Sequence, residues 1–222
     1  MSNLQTPTLP VIIMDSSDSY GRGVIFVFVG PAGVGKNTVI KRIMHDFPRL
    51  QRMPTATTRP PREGEREGID HFFVSVERFS AMRDGGELLE YEEVHPGKFY
   101  GAVRRPVEES LARGDLLVSD IDVKGAVALK AAFPNHVVTI FILPPTEQAL
   151  LDRMRERGEA TEAEILQRHA RAQYELSRAT ESDYRVVNDN VERCAAEVRA
   201  IVLHHAPNAG DAPYKTKEDN HD

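Results

Sequence analysis

Three continuous apolar runs organise the chain: Val24–Val29 (VIFVFV), Leu116–Val118 and Val137–Leu143 (VVTIFIL). Rich in β-branched and aromatic residues and free of polar alternation, they predict strands covered on both faces. Segments of helical spacing follow them. Helices are predicted over about Lys36–Asp46, Lys124–Phe133 and Thr146–Arg157, the last closed by Gly158. Thr161 to Glu164 reads as a capping box that opens another helix to about Ala179. Tyr184–Val187 predicts a short strand, and Asn190 caps a final helix to about Leu203. Strands alternating with helices predict an α/β fold, a parallel sheet flanked by helices with right-handed crossovers.

Residues 55–103 break this rhythm. Turn signals (Pro60-Pro61, Glu63-Gly64, Gly85-Gly86, Pro96-Gly97) separate short strand-like pieces at His71–Val74 and Leu88–Val94. The segment reads as a small mixed α/β lobe inserted between two parts of the parallel sheet. Residues 1–22 lack periodicity and read as a flexible arm, and the polar stretch 206–222 reads as a disordered tail.

Composition narrows the picture. A chain of 222 residues with 41% hydrophobic positions suits one domain, or one domain carrying an inserted lobe. A formal net charge of −6 argues against a nucleic-acid binder but leaves room for a local basic pocket. Only seven of the 28 Lys and Arg residues are lysine, and arginine is the side chain whose planar fork matches phosphates. Cys194 is the single cysteine, so no internal disulfide forms and a reducing, cytoplasmic setting is expected. No apolar run reaches a membrane span, and no secretory signal pattern precedes Val11–Met14.

The first strand runs into Gly30-Pro-Ala-Gly33-Val34-Gly35-Lys36-Asn37-Thr38, which opens a helix. Strand, glycine-rich loop and helix in that order are the context of a nucleotide phosphate loop. Glycines allow close backbone approach, converging N–H groups meet phosphate oxygens, and the helix N-terminus adds positive potential. Lys36 is placed to neutralise the β- and γ-phosphates. The pattern expects Ser or Thr after the lysine, but Asn37 stands there, with Thr38 next.

A kinase that phosphorylates a nucleotide needs a second anion site facing the first. Thr57–Gly68 packs three arginines, Arg59, Arg62 and Arg66, into eight residues on a proline-stiffened turn, which suits a monophosphate. With GPAGVGK, TTRPPREGE, EYEEV followed by FYG, SDID, the RERG to QRHARA arginines and VND, residues 24–203 resemble the guanylate kinase family. The resemblance implies a P-loop NTPase core (23–54, 104–145 and 180–205), a GMP-binding lobe (55–103) and a helical lid (146–179). It implies ATP and GMP (with dGMP) as substrates and Mg2+ carried by ATP near Thr38 and Asp120. It assigns Arg59, Arg62, Glu65 and Tyr100 to the GMP phosphate turn, Thr55 and Glu90 to guanine, and Asp120 and Asp122 to the acidic pair ending the core strand. Arg157 and Arg168 become lid groups that clamp the transferring phosphoryl, and Asn188 a contact to adenosine.

The chemistry is intelligible from the residues. Guanine presents N1–H and an exocyclic amine as adjacent donors, which one fixed carboxylate such as Glu90 accepts together. Asp120 and Asp122 follow a buried strand, where α/β sheets place ligands, and alternate onto one face. They could hold magnesium water and a guanine donor, or pair with arginines. Arg153 and Arg157 are four apart and share a helix face before the Gly158 hinge. Arg155 and Arg171 are expected to face solvent, and His169 to pack on its helix.

The chain departs from the family at four places: Asn37; His71, where a phosphate-contacting tyrosine is usual; Ala102, where a hydroxyl helps bind guanine; and an extra residue in His95-Pro96-Gly97-Lys98 that could shift Tyr100. His71 could donate to phosphate, more strongly as imidazolium. Ala102 leaves Thr55 to carry the hydroxyl contact. Two other readings of the fold are a kinase acting on ribose 1,5-bisphosphate and a non-catalytic module binding phosphopeptides. Glu90, the Arg59–Arg62 turn and the acidic pair favour GMP over the first, and the intact GVGK loop argues against the second.

Overall fold

The computed structural model describes residues 23–156 and 162–211. Its core is a five-stranded parallel sheet in the order β2-β7-β1-β8-β9, formed by β1 (Val24–Val29), β2 (Leu50–Arg52), β7 (Leu116–Asp120), β8 (Val137–Leu143) and β9 (Tyr184–Val187). The central strand β1 is buried at every position, and its side chains divide between the two faces by alternation. Val24, Phe26 and Phe28 pack with Val39, Ile40 and Ile43 of α1 (Lys36–Asp46) and with Val198 and Val202 of α7 (Val191–His205). Ile25, Val27 and Val29 pack on the other face with Val107 and Leu111 of α3 (Arg104–Arg113) and Leu129 of α4 (Val123–Ala132). Two covered faces explain why VIFVFV shows no polar alternation. Emptying either face, as Phe26→Ala would, costs about 3–5 kcal/mol.

Residues 55–103 form a second, four-stranded sheet in the order β4-β3-β6-β5, comprising β3 (Thr55–Thr57), β4 (Phe72–Phe73), β5 (Leu88–His95) and β6 (Lys98–Val103). The β3–β4 pair is parallel, while β6 runs antiparallel to β3 and β5, so the sheet is mixed. Helix α2 (Val76–Asp84), capped by the Ser75 hydroxyl on the Arg78 N–H, closes one face by packing its Phe79 and Met82 with Ala56, Leu88 and Val103. The segment around Pro96 forms the turn between β5 and β6. The register shifts between Glu93 and His95, Gly97 takes a left-handed φ of 74°, and Tyr100 pairs opposite Glu92.

Helices α2 and α3 and the edge strand β2 were not legible in the sequence. Two helices flank the core's open end: α5 (Glu147–Glu156), capped by Thr146 on the Ala149 N–H, and α6 (Glu162–Ser177). Helix α6 ends at Ser177 rather than Ala179, where a 3-10 turn (Ala179–Glu181) buries Ala179 and redirects the chain into β9. Arg157, Gly158 and Thr161 of the capping box lie outside the described residues, as do residues 1–22 and 212–222. Residues 206–211, read from composition as part of a disordered tail, are ordered. They close against the core, with Ala209 fully buried and Arg49 donating to the Asn208 carbonyl at 3.1 Å.

Candidate active site

The loop between β1 and α1 folds as its glycines require. Gly30, Gly33 and Gly35 have φ of 133°, 88° and 100°, and a side chain at Gly35 would meet the Asn188 amide at 2.4 Å. Gly35 is the N-cap of α1 and no side chain caps it, leaving the first N–H groups of the helix to an anion. Lys36 folds back over the loop: Nζ donates to the Gly30 carbonyl at 2.5 Å and to that of Pro31 at 3.3 Å, and lies 3.6 Å from Asp120. Asp120 ends β7 opposite Phe28 of β1, so the parallel register itself brings the carboxylate to the lysine. Burial pushes the Asp120 carboxyl up from its ordinary value, against the pull of Lys36 and Arg52.

The loop is braced from beneath. Asn188 is 2% exposed, and its Nδ2 donates to the Val34 carbonyl at 2.8 Å. Arg153 of α5 donates to the same carbonyl at 3.3 Å and to the Asn188 carbonyl at 3.0 Å. Both residues, expected at the nucleotide, are engaged with the loop backbone here. Thr38 and Asn37 are exposed on the first turn of α1.

The arginine-rich turn builds a cradle of its own. Arg59 is buried. Its Nε donates to the Tyr100 hydroxyl at 2.8 Å, and its two terminal nitrogens donate to the Glu65 carboxylate at 2.5 and 2.6 Å. Glu65 also accepts from the Arg62 N–H at 2.8 Å, which fixes the turn, while the Arg62 residue stays exposed. These bonds hold the Glu65 carboxyl down at about 2. His71 joins the cradle: its Nδ1 lies 2.7 Å from the Thr55 hydroxyl and its ring stands edge-on to those of Phe73 and Tyr100. Burial, then the nearby Arg59 cation, push the His71 pKa below its ordinary value. Thr55, expected at the base, is thus paired with the histidine.

Between β5, α4 and α6 lies a cavity of about 760 Å³ lined in part by Glu90, Glu92, Asp122, Gly125, Arg171 and Glu175. Glu90 accepts from the Ala102 N–H at 3.2 Å, and burial pushes its carboxyl up to about 7. A Cβ on Gly125 would come within 3.1 Å of Glu90, so the missing side chain keeps space for the carboxylate. Asp122 caps α4 by accepting from the Gly125 N–H at 2.8 Å. Arg171 is solvent-facing as expected, but it also has carboxylate partners that the sequence did not reveal. Although 58% exposed, it reaches from α6 to Glu92 of β5, lies 3.9 Å from Asp122 and bonds Glu175 at 3.1 Å. Arg155 is exposed beside Asp152, and Arg168 is exposed on α6. His169 pairs with Glu147 at 2.7 Å, tying α6 to α5.

Sequence reasoning missed Arg52, Glu92, Arg171 and Glu175. The first two fall in strands whose faces follow from pairing alone, and the others lie one helical turn apart on α6, a spacing that was available to read. Cys194 is buried in the core with its thiol pushed up to about 12, which makes it inert packing. Among the described residues, no cluster of three metal-ligating side chains occurs and no helix is long and apolar enough to cross a membrane.

The guanylate kinase family model matches residues 22–205. The chain is 42% identical to the guanylate kinase of Chelativorans sp. (strain BNC1), over 82% of this chain and 83% of the relative. It is 38% identical to that of Thermosynechococcus vestitus, over 83% and 96%. The crystal structure of guanylate kinase from Anaplasma phagocytophilum superposes with a TM-score of 0.61 at 32% identity, covering 83% of this chain and 85% of that one. With the family model matched over residues 22–205 and relatives about 40% identical over four-fifths of its length, the chain belongs to the guanylate kinase family.

Proposed function

We propose the following division of labour for the reaction of a guanylate kinase, transfer of the γ-phosphoryl group of ATP to GMP to give ADP and GDP. A GMP phosphate oxygen forms a bond to the γ-phosphorus. The bond from that phosphorus to the β,γ-bridging oxygen breaks, and ADP leaves with the electron pair. The attacking oxygen is already anionic, so the site needs positioning and charge neutralisation rather than a base. The observation that carries this reading is the pairing of an uncapped α1 N-terminus bearing Lys36 with the Arg59–Glu65–Tyr100 cradle.

In this reading Gly33, Val34, Gly35 and Lys36 hold the ATP phosphates, and Asn188 and Arg153 act by bracing the loop. Arg59, Arg62, Tyr100 and His71 hold the GMP phosphate. Glu90 accepts the two guanine donors, with Asp122 beside it. Arg157 and Arg168 complete the neutralisation from the lid, residues 146–179. Mg2+ suits the oxygen donors present: it takes one or two carboxylates, phosphates and waters, and Asp120 with the Thr38 hydroxyl offers that set beside Lys36. When bound with ATP it polarises the transferring phosphate. The buried free thiol of Cys194 suits a reducing compartment, and we place the enzyme in the cytoplasm.

Lys36→Ala and Arg62→Ala each test the assignment. Turnover of GMP should fall by orders of magnitude while thermal melting stays near that of the parent protein. Near-parental turnover by either variant would contradict the roles given to these two cations.

A further inference from the structure

Arg52 ends β2, the edge strand of the core sheet, and pairs in register with Val118, two residues before Asp120. This puts it at the carboxyl end of a parallel sheet, where α/β folds bind ligands. Its Nη2 donates to Asn37 Oδ1 at 3.2 Å. A guanidinium has only donors, so the contact fixes the carboxamide: oxygen toward Arg52, NH2 turned away. Asn37 stands where a hydroxyl was expected, and its oxygen is engaged by a cation. A guanidinium carries five N–H donors, and the bond to Asn37 takes one of them.

Two further groups feel this charge. Asp120, which lies beside Lys36 on the loop side, is attracted to Arg52, and His71, in the cradle, is disfavoured as a cation by it. Arg52 therefore acts on groups from both phosphate sites. Its position suits neutralising the three equatorial oxygens of a phosphoryl group passing between them.

We propose that Arg52 is a phosphate-binding cation of the transfer site, standing between loop and cradle, and that the Asn37 carboxamide is the residue that positions it. The inference rests on the phosphoryl-transfer reading above. The residue after Lys36 then serves this enzyme by aiming an arginine.

The test is a double-mutant cycle of the full-length protein, Asn37→Ala, Arg52→Ala and both together, read as kcat and as KM for ATP and for GMP. Arg52→Ala should lower kcat at least tenfold, more than it changes either KM. Asn37→Ala should lower kcat less, and the double variant should be no slower than Arg52→Ala alone, because Asn37 acts through the arginine. Fully additive losses would overturn the positioning role of Asn37, and kcat within twofold of the parent in folded Arg52→Ala would overturn the proposal. Arg52→Gln keeps a donor for Asn37 without the charge; it should show the same loss, and a parental rate overturns the proposal even if the alanine variant does not fold. Calorimetry with tripolyphosphate reads the cation without any acceptor. Its affinity should weaken about fivefold in Arg52→Gln, and unchanged affinity contradicts the proposal. A parent protein that makes no GDP would instead overturn the reading of the reaction, and the tripolyphosphate comparison would still decide on Arg52.

Discussion

The Thr55 hydroxyl and His71 Nδ1 meet at 2.7 Å inside the arginine cradle, so a residue expected to read the base instead orients a residue expected to hold the phosphate. Burial and Arg59 keep the imidazole pKa below its ordinary value, so His71 is neutral at physiological pH. With Nδ1 engaged by Thr55, Nε2 is the atom left to face a phosphate. Thr55→Val should raise KM for GMP about fivefold, the equivalent of one hydrogen bond of about 1 kcal/mol, with a smaller effect on kcat. An unchanged KM would mean that the pair does not orient the imidazole for GMP.

Glu90 sets a pH dependence of its own sign. Its carboxyl is pushed up to about 7, and guanine requires the carboxylate. Above that value the group is ionised and GMP binding is at its best; below it protonation competes. KM for GMP should therefore rise about tenfold as pH falls from 8 to 6. Charging of His71 acts in the opposite direction and sets in lower, because its own pKa is depressed. Glu90→Gln should weaken GMP binding and flatten the profile, and a profile unchanged by that substitution would assign the titration elsewhere.

Arg59 and Glu65 form a two-pronged pair that stays ionised throughout the neutral range, with the Glu65 carboxyl at about 2. Lysine cannot reproduce the fork and also loses the bond to Tyr100. Arg59→Lys should cut kcat/KM for GMP at least tenfold and leave KM for ATP within about twofold. Equal losses toward both substrates would indicate general damage to the fold.

Arg171 ties α6 to Glu92 of the lobe. The pair is half-exposed, so it should be worth no more than about 1 kcal/mol and weaken with salt. Arg171→Ala should speed amide hydrogen exchange along α6 and shift kcat/KM by about twofold to fivefold. Exchange in α6 unaltered by the substitution would mean that the pair does not hold the helix to the lobe.

The sequence made the core sheet legible because its strands are covered on both faces, and an uninterrupted run such as VIFVFV has few other uses. The phosphate loop was legible because its glycines, lysine and following helix are adjacent in the chain. What escaped was built by contacts distant in sequence. Helix α3 carries Pro106 in its first turn, and its buried face, Val107, Ser110 and Leu111, includes a polar residue. Strand β2 is three residues long and takes its identity from β7. Ala209 looked like part of a polar tail and is buried by the core it closes. Around the site, Arg171 and Glu92 are 79 positions apart, and Asn37 and Arg52 sit on different elements. Charged residues of this kind read as solvated until tertiary structure gives them a partner.

Acceptor choice tests the central claim most directly. ADP release from ATP is measured in parallel with GMP, dGMP, AMP, UMP and ribose 1,5-bisphosphate at fixed Mg2+. The account predicts turnover with GMP and, more slowly, dGMP, with AMP and UMP lower by about two orders of magnitude because they lack the paired donors that Glu90 accepts. Turnover of ribose 1,5-bisphosphate in preference to GMP would contradict it.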